Sequence, residues 1–246
     1  MMICGGSRVL TMRTPGAEAE LAVGFLASEG YIAGADEVES VTFEPVEGCA
    51  RGEVTDTVRV ALKQGELPAL AARLTRTHEI RPSCGVCGLQ DASELLTGVR
   101  PLVVSEPKVS PEAVQAMVAE LSKRQLLFHA TGACHGAALF DAGGALLALG
   151  EDVGRHNALD KAIGRALLDR RDLSRTIAVL SGRAGYELII KLLRVGCPVI
   201  ASISAPSALS FDLCREAGAT LIGFVRGDRM KVYWAGDRLA TPVTRL

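Results

Sequence analysis

From residue 177 onward the chain repeats one rhythm, and that rhythm limits its architecture more than any other feature. An apolar run from Ile177 to Leu180 is followed by Tyr186 to Val195, which carries Leu188, Ile189, Leu192 and Leu193 on one side. Pro198 to Ile203, Ala208 to Ala217 and Thr220 to Val225 then continue the alternation. Short apolar runs separated by one-sided helices predict a parallel sheet with helices on its faces. Ahead of them, Ser110-Pro111-Glu112 starts a helix with a capping serine and a first-turn proline, and Val114, Met117, Val118 and Leu121 supply its apolar face. Ala137 to Phe140 and Ala145 to Leu149, joined by Asp141-Ala142-Gly143-Gly144, read as a hairpin, and a helix is expected from about His156 to Leu168. Residues 108–246 are therefore expected to form one α/β domain.

The first 76 residues have a different pattern. Ser7 to Thr14 reads as a strand ending at Pro15-Gly16, Ala17 to Gly30 as a helix, Val38 to Phe43 and Val54 to Leu62 as strands, and Leu67 to Leu74 as a helix. That series predicts a small α+β domain over 1–76. Residues 77–107, with Pro82, Pro101, Pro107 and only a brief helical stretch at Asp91 to Leu96, read as a linker.

A formal net charge of −1 argues against a dedicated nucleic-acid surface. Arg outnumbers Lys, a bias towards phosphate-bearing ligands. The longest apolar runs fall far short of a membrane span, and the first residues lack the basic flank and apolar core of a secretory signal. A cytoplasmic location is expected, with the seven cysteines reduced.

Six stretches concentrate chemistry. Ser83-Cys84-Gly85-Val86-Cys87-Gly88 sets two thiols among glycines, a loop that presents sulfur rather than burying it. A zinc pair, a thioredoxin-like redox pair and a sulfur nucleophile on a flexible arm are all open readings. The lack of a second CxxC or an HxxxH counts against the first, and the poor strand before the motif counts against the second. Gly150 to Lys161 packs six ionisable groups and Asn157 into twelve residues, either a capped and solvated helix start or a ligand contact. Cys134-His135 is a nucleophile-base pair, a ligand pair or a buried thiol beside an unrelated imidazole. Finally, Ser181-Gly182-Arg183, Ser204-Ala205-Pro206-Ser207 and Arg226-Gly227-Asp228-Arg229 each follow a predicted strand, at the carboxyl edge where anions bind.

Taken in order, Thr11 to Gly16, Leu21 to Leu26 with Ser28-Glu29-Gly30, Ser83 to Gly88, Thr131-Gly132 with His135, Glu151 to Lys161, Ser181 to Arg183, Ser204 to Pro206 and Gly223 to Arg226 resemble the formate dehydrogenase accessory sulfurtransferase family (FdhD, also called NarQ). The resemblance implies a second domain with the three-layer fold of cytidine deaminase. It also implies a sulfur carrier that accepts sulfur from a cysteine desulfurase and passes it to molybdenum bis(molybdopterin guanine dinucleotide) before insertion into the formate dehydrogenase catalytic subunit. Cys84 then corresponds to the persulfide residue, with Cys87 in support. Phe224, Val225, Arg226, Gly227, Asp228 and Arg229 match the cofactor-binding segment, which Ser181, Gly182, Arg183, Arg155 and His156 are expected to extend.

A homodimer is implied, and no resident metal, nucleic acid or membrane. A chaperone that binds the cofactor without covalent transfer is the alternative. Zinc-dependent deamination is disfavoured, because Cys134-His135 is followed by Gly136-Ala137 and Ser204 to Ser207 lacks a cysteine pair. Two departures stand out: the family's additional N-terminal strand has no evident counterpart, leaving the first sheet short of an edge, and Cys134 replaces a commoner aliphatic residue.

Overall fold

The computed structural model describes residues 2–4, 7–44, 56–63, 95–96, 99, 102 and 106–240. The Cys84-Cys87 loop, the helix expected at Leu67 to Leu74 and the expected boundary at 76–77 lie outside them.

Two sheets organise the described chain. The first takes β1 (Met2–Cys4), β2 (Ser7–Val9), β3 (Val38–Glu44) and β4 (Thr57–Leu62) in the order β2-β1-β4-β3. β1 runs parallel to β4 and antiparallel to β2, so the chain's opening residues supply an interior strand that the sequence reading lacked. The strand expected over Ser7 to Thr14 stops at Val9. Beyond it the backbone of 11–14 bonds to side chains of the second sheet's neighbourhood instead of to a neighbouring strand. Helix α1 (Glu18–Ser28) follows.

The second sheet has the order β10-β9-β8-β7-β5-β6. Helices α2 (Pro111–Arg124) and α3 (Leu126–Thr131) precede the hairpin β5 (His135–Phe140) and β6 (Leu146–Asp152). Then come α4 (Arg155–Leu168), β7 (Ile177–Leu180), α5 (Tyr186–Arg194), β8 (Val199–Ser202), α6 (Ala208–Ala217), β9 (Thr220–Arg226) and β10 (Arg229–Trp234). β7, β8 and β9 are parallel as predicted, while β5 is antiparallel to both β6 and β7, and β10 folds back on β9. The sheet is therefore mixed. The last turn, Gly227-Asp228, joins two strands rather than a strand and a helix; Gly227, with φ 55°, supplies the left-handed backbone of this two-residue hairpin.

Strand alternation divides the core between the two faces of this sheet. Ala138, Phe140, Val179, Ala201 and Ile222 meet Val114, Met117, Val118 and Leu121 of α2, whose Ser110 caps it by accepting from the Ala113 N–H at 3.1 Å. Ala137, Leu139, Ala178, Leu180, Ile200 and Leu221 face the other way, into a core shared with α4, α5 and α1. The result is the expected α/β architecture in three layers.

α1 and α4 meet without side chains between them. A Cβ on Gly24 would lie 1.8 Å from the Asp160 carbonyl oxygen, and one on Gly164 would lie 1.8 Å from that of Glu20. Backbone touches backbone at both points. Beside this contact Lys191 of α5 reaches both Asp160 carboxylate oxygens at 3.0 Å, the Ser28 hydroxyl at 2.9 Å and Glu29 at 2.9 Å. Burial disfavours the Lys191 charge, but Asp160 and Glu29 more than offset it and hold its pKa above the usual lysine value. One ammonium thus ties three helices.

Gly24→Ala or Gly164→Ala is expected to destabilise the fold by about 3 kcal/mol or more, since backbone offers no rotamer to yield. Thermal unfolding should show a Tm lower by roughly 6–12 °C. An unchanged Tm would mean that the helices do not touch this closely.

Candidate functional site

Topology gathers one edge. β6, β7, β8 and β9 all finish there, and because β5 runs the other way, it begins there. The edge therefore carries His135, the β6–α4 turn, Ser181-Gly182-Arg183, Ile203 to Ser207 and the Gly227-Asp228 turn. With strands about 4.8 Å apart, the row from β6 to β9 spans about 19 Å.

The loops hold one another. Ser202 donates to the Gly182 carbonyl at 2.6 Å and accepts from the Ser204 N–H at 3.1 Å. The Ala184 N–H donates to the Ala205 carbonyl at 3.2 Å, and the Ser207 N–H returns to the Ala184 carbonyl at 3.3 Å. The Gly136 N–H donates to the Ser181 hydroxyl at 2.7 Å. Gly223 lies under the β8 loop, where a Cβ would come within 3.0 Å of Pro206 Cδ and 3.1 Å of the Ser204 carbonyl oxygen. Next to it Phe224 has φ 51°, unusual for a residue with a Cβ, and its ring is 41% exposed although Val225 is buried. Arg226 donates from Nε to the Ile203 carbonyl at 3.2 Å. Arg155, Arg183, Arg226 and Arg229 all stand exposed along the row.

The Gly150 to Lys161 cluster resolves into two groups. Asp152, fully buried, accepts from the Thr14 N–H at 3.0 Å, the Gly154 N–H at 2.9 Å and Asn157 Nδ2 at 3.1 Å, and pairs with Lys161 at 2.8 Å. Lys161 also donates to the Thr14 and Glu151 carbonyls, while Asn157 donates to that of Met12. Glu151 accepts from the Leu127 and Phe128 N–H groups at 3.0 and 2.9 Å, and so secures the start of α3. These side chains clamp the 11–14 segment and α3; the solvated helix face expected at Asp160 and Lys161 is instead buried, because both side chains are taken up in ion pairs. Arg155 and His156 are left for the edge. Burial, then Arg155 and Lys191, push the His156 imidazole down to about 4, and burial and Arg155 also lower that of His135.

The site residues expected from sequence thus fall into three sets. Ser181, Gly182, Arg183, Arg155, His156 and Phe224 to Arg229 share one edge. Cys84 and Cys87 lie outside the described residues. His135, which the sequence sets beside Cys134 and among the stretches of the family resemblance, comes to this edge through the reversed direction of β5, which sequence pattern does not encode. Among the four described cysteines, Cys4, Cys197 and Cys214 are buried. Burial raises the pKa of all three, to about 11 for Cys197 and about 12 for Cys214, so they stay as inert thiols at neutral pH. Cys134 is part-exposed, with Thr14 and Thr131 hydroxyls each 4.0 Å from its sulfur.

Mutually bonded loops, several bearing exposed arginines, thus line the carboxyl edge of the sheet in a three-layer α/β protein. Residues 1–240 match the model of the FdhD/NarQ family, and the chain belongs to that family. It is 44% identical to a sulfur carrier protein FdhD of Anaeromyxobacter dehalogenans, over 96% of this chain and 84% of that one. A sulfur carrier protein FdhD of Mycobacterium tuberculosis is 43% identical, over 94% and 85% respectively. A crystal structure from Desulfotalea psychrophila, assigned as a formate dehydrogenase accessory protein, superposes with a TM-score of 0.69 at 27% identity, covering 93% of this chain and 82% of that one.

Lys161→Met should leave the Asp152 carboxylate buried without its cation, and loss of one partner of a buried pair costs about 3–5 kcal/mol. Hydrogen exchange is expected to accelerate first at the Thr14 and Val153 amides. Protection equal to that of the native chain would show that the pair does not hold the 11–14 segment.

Proposed function

We propose that this chain is a sulfur carrier for formate dehydrogenase, loaded by a cysteine desulfurase and delivering sulfur to molybdenum bis(molybdopterin guanine dinucleotide) before that cofactor enters the catalytic subunit. The observation that carries the reading is the row of anion-suited loops in a chain whose relatives are named sulfur carriers. A ligand with two guanine nucleotide arms presents several phosphates over an extended length, which suits a row about 19 Å long. Exposed guanidinium groups offer forked donors to phosphate, and the exposed Phe224 ring offers a flat face to a base.

The sulfur chemistry falls to Cys84, with Cys87 in support. Its thiolate attacks the terminal sulfur of the desulfurase persulfide; a new S–S bond forms on Cys84 as the donor's S–S bond breaks, and the desulfurase cysteine leaves as thiolate. The burial of Cys4, Cys197 and Cys214 supports this choice by removing three competitors. Homodimer formation belongs to the same proposal.

Two experiments test it. Cys84→Ala, incubated with desulfurase and labelled cysteine, is expected to lose protein-bound persulfide and to fail in restoring formate dehydrogenase activity. Full activity in that variant would favour the cofactor-binding chaperone. Arg226→Ala and Arg229→Ala are each expected to weaken binding of guanosine diphosphate about tenfold or more, as for loss of a charge-assisted hydrogen bond. Unaltered affinity by calorimetry would remove this segment from the site.

A further inference from the structure

At the β5–β6 end of the edge, three basic residues from two elements lie near one another. His135 opens β5 and sits against the loop after β7, where a Cβ on Gly182 would meet its Nδ1 at 3.2 Å. Arg155 and His156 open α4, close enough for Arg155 to bear electrostatically on both imidazoles and for His135 to bear on His156. The nearby carboxylates are committed elsewhere: Asp152, opposite His135 in the β5–β6 register, holds Lys161 and three N–H groups, and Glu151 holds the start of α3. Behind His156 lie Lys191 of α5 and Glu29 after α1, themselves paired with each other, and Asp160 is paired with the same Lys191. Arg155 has no ion-pair partner among the described residues.

We propose that His135, Arg155 and His156 form a second anion subsite, about 14–19 Å along the sheet edge from the Phe224–Arg229 segment, which takes a phosphate group and binds it together with protons. The proposal rests on the reading of this edge as a phosphate-binding row and adds His135 to it. Without ligand, burial and then Arg155 lower the pKa of both imidazoles; at His156 Lys191 adds to this and Glu29 opposes it. A phosphate at Arg155 cancels the frontal repulsion and supplies an acceptor to each ring, so each imidazole binds its proton more tightly in the complex. The sign follows from linkage. Both pKa values rise on binding, so the imidazoles' share of the affinity is lost as pH rises through the values in the complex; below about pH 6 protonation of the terminal phosphate itself opposes any further gain. The native imidazole pair thereby makes phosphate capture stronger near neutral pH and release easier in alkaline conditions.

Calorimetric titration of the full chain with guanosine diphosphate, at about pH 7.5, where the terminal phosphate is already ionised, in two buffers of different ionisation enthalpy, reads proton uptake by the protein. Uptake of about one proton per nucleotide is expected, with no uptake for guanosine, which has no phosphate. The C2-proton resonance of His135 should titrate at higher pH with nucleotide than without. His135→Gln is expected to bind guanosine diphosphate with less uptake and a flatter pH dependence. Native chain that binds the nucleotide with no proton uptake, while Arg226→Ala still weakens it, would overturn the second subsite and leave the phosphate-binding row standing. Uptake unchanged in His135→Gln would overturn the role of His135. No binding of guanosine diphosphate at any pH would overturn both readings together.

Discussion

The buried pair between Asp152 and Lys161 is the interaction on which the site depends. Asp152 ends one strand, Lys161 lies two turns into the next helix, and the Thr14 backbone between them belongs to the segment that leads from the first sheet into α1. A buried carboxylate is tolerable only if its lone pairs are met, and here three N–H donors and an ammonium meet them. With those groups fixed to one another, the first turn of α4 is fixed as well. That holds Arg155 exposed at the edge, with His156 part-buried beside it, while Asp152 and Lys161 are internal.

Much of this was legible in the residues. The helix and strand rhythm after residue 177 gave the right elements at nearly the right boundaries, because each helix has one apolar face and each strand is a short apolar run. The parallel junctions at Ser181 and Ser204 followed from the same pattern. What periodicity does not encode is strand direction. The hairpin of β5 and β6 was visible, but its insertion beside β7 with β5 reversed was not, and the placement of His135 depends on that reversal.

Other elements were hidden for local reasons. Met2–Cys4 is too short to show an alternation, and it becomes a strand because β4 and β2 supply ladder partners on both sides. β10 reads as polar and half-exposed because it is an edge strand. The stretch over 11–14 looked like a strand by alternation, yet its backbone groups are taken by Asp152, Asn157 and Lys161. The density of charge from Gly150 to Lys161 marks a buried clamp, in which Asp152, Asn157 and Lys161 hold the 11–14 segment and Glu151 holds α3, partners that lie far away in sequence and that local pattern does not show.

The contact between α1 and α4 has a consequence for how the protein tolerates change. Where helices pack through side chains, their spacing drifts as residues are exchanged for larger or smaller ones. At Gly24 and Gly164 the spacing is set by main-chain atoms alone, so ordinary variation around the interface leaves the relation between the two sheets untouched. The same arrangement makes sensitivity at these two positions all-or-none, since neither admits a methyl group. A mutational scan of this interface would therefore read as sharp minima at the two glycines and at the buried Asp160–Lys191 pair beside them rather than as a graded stripe.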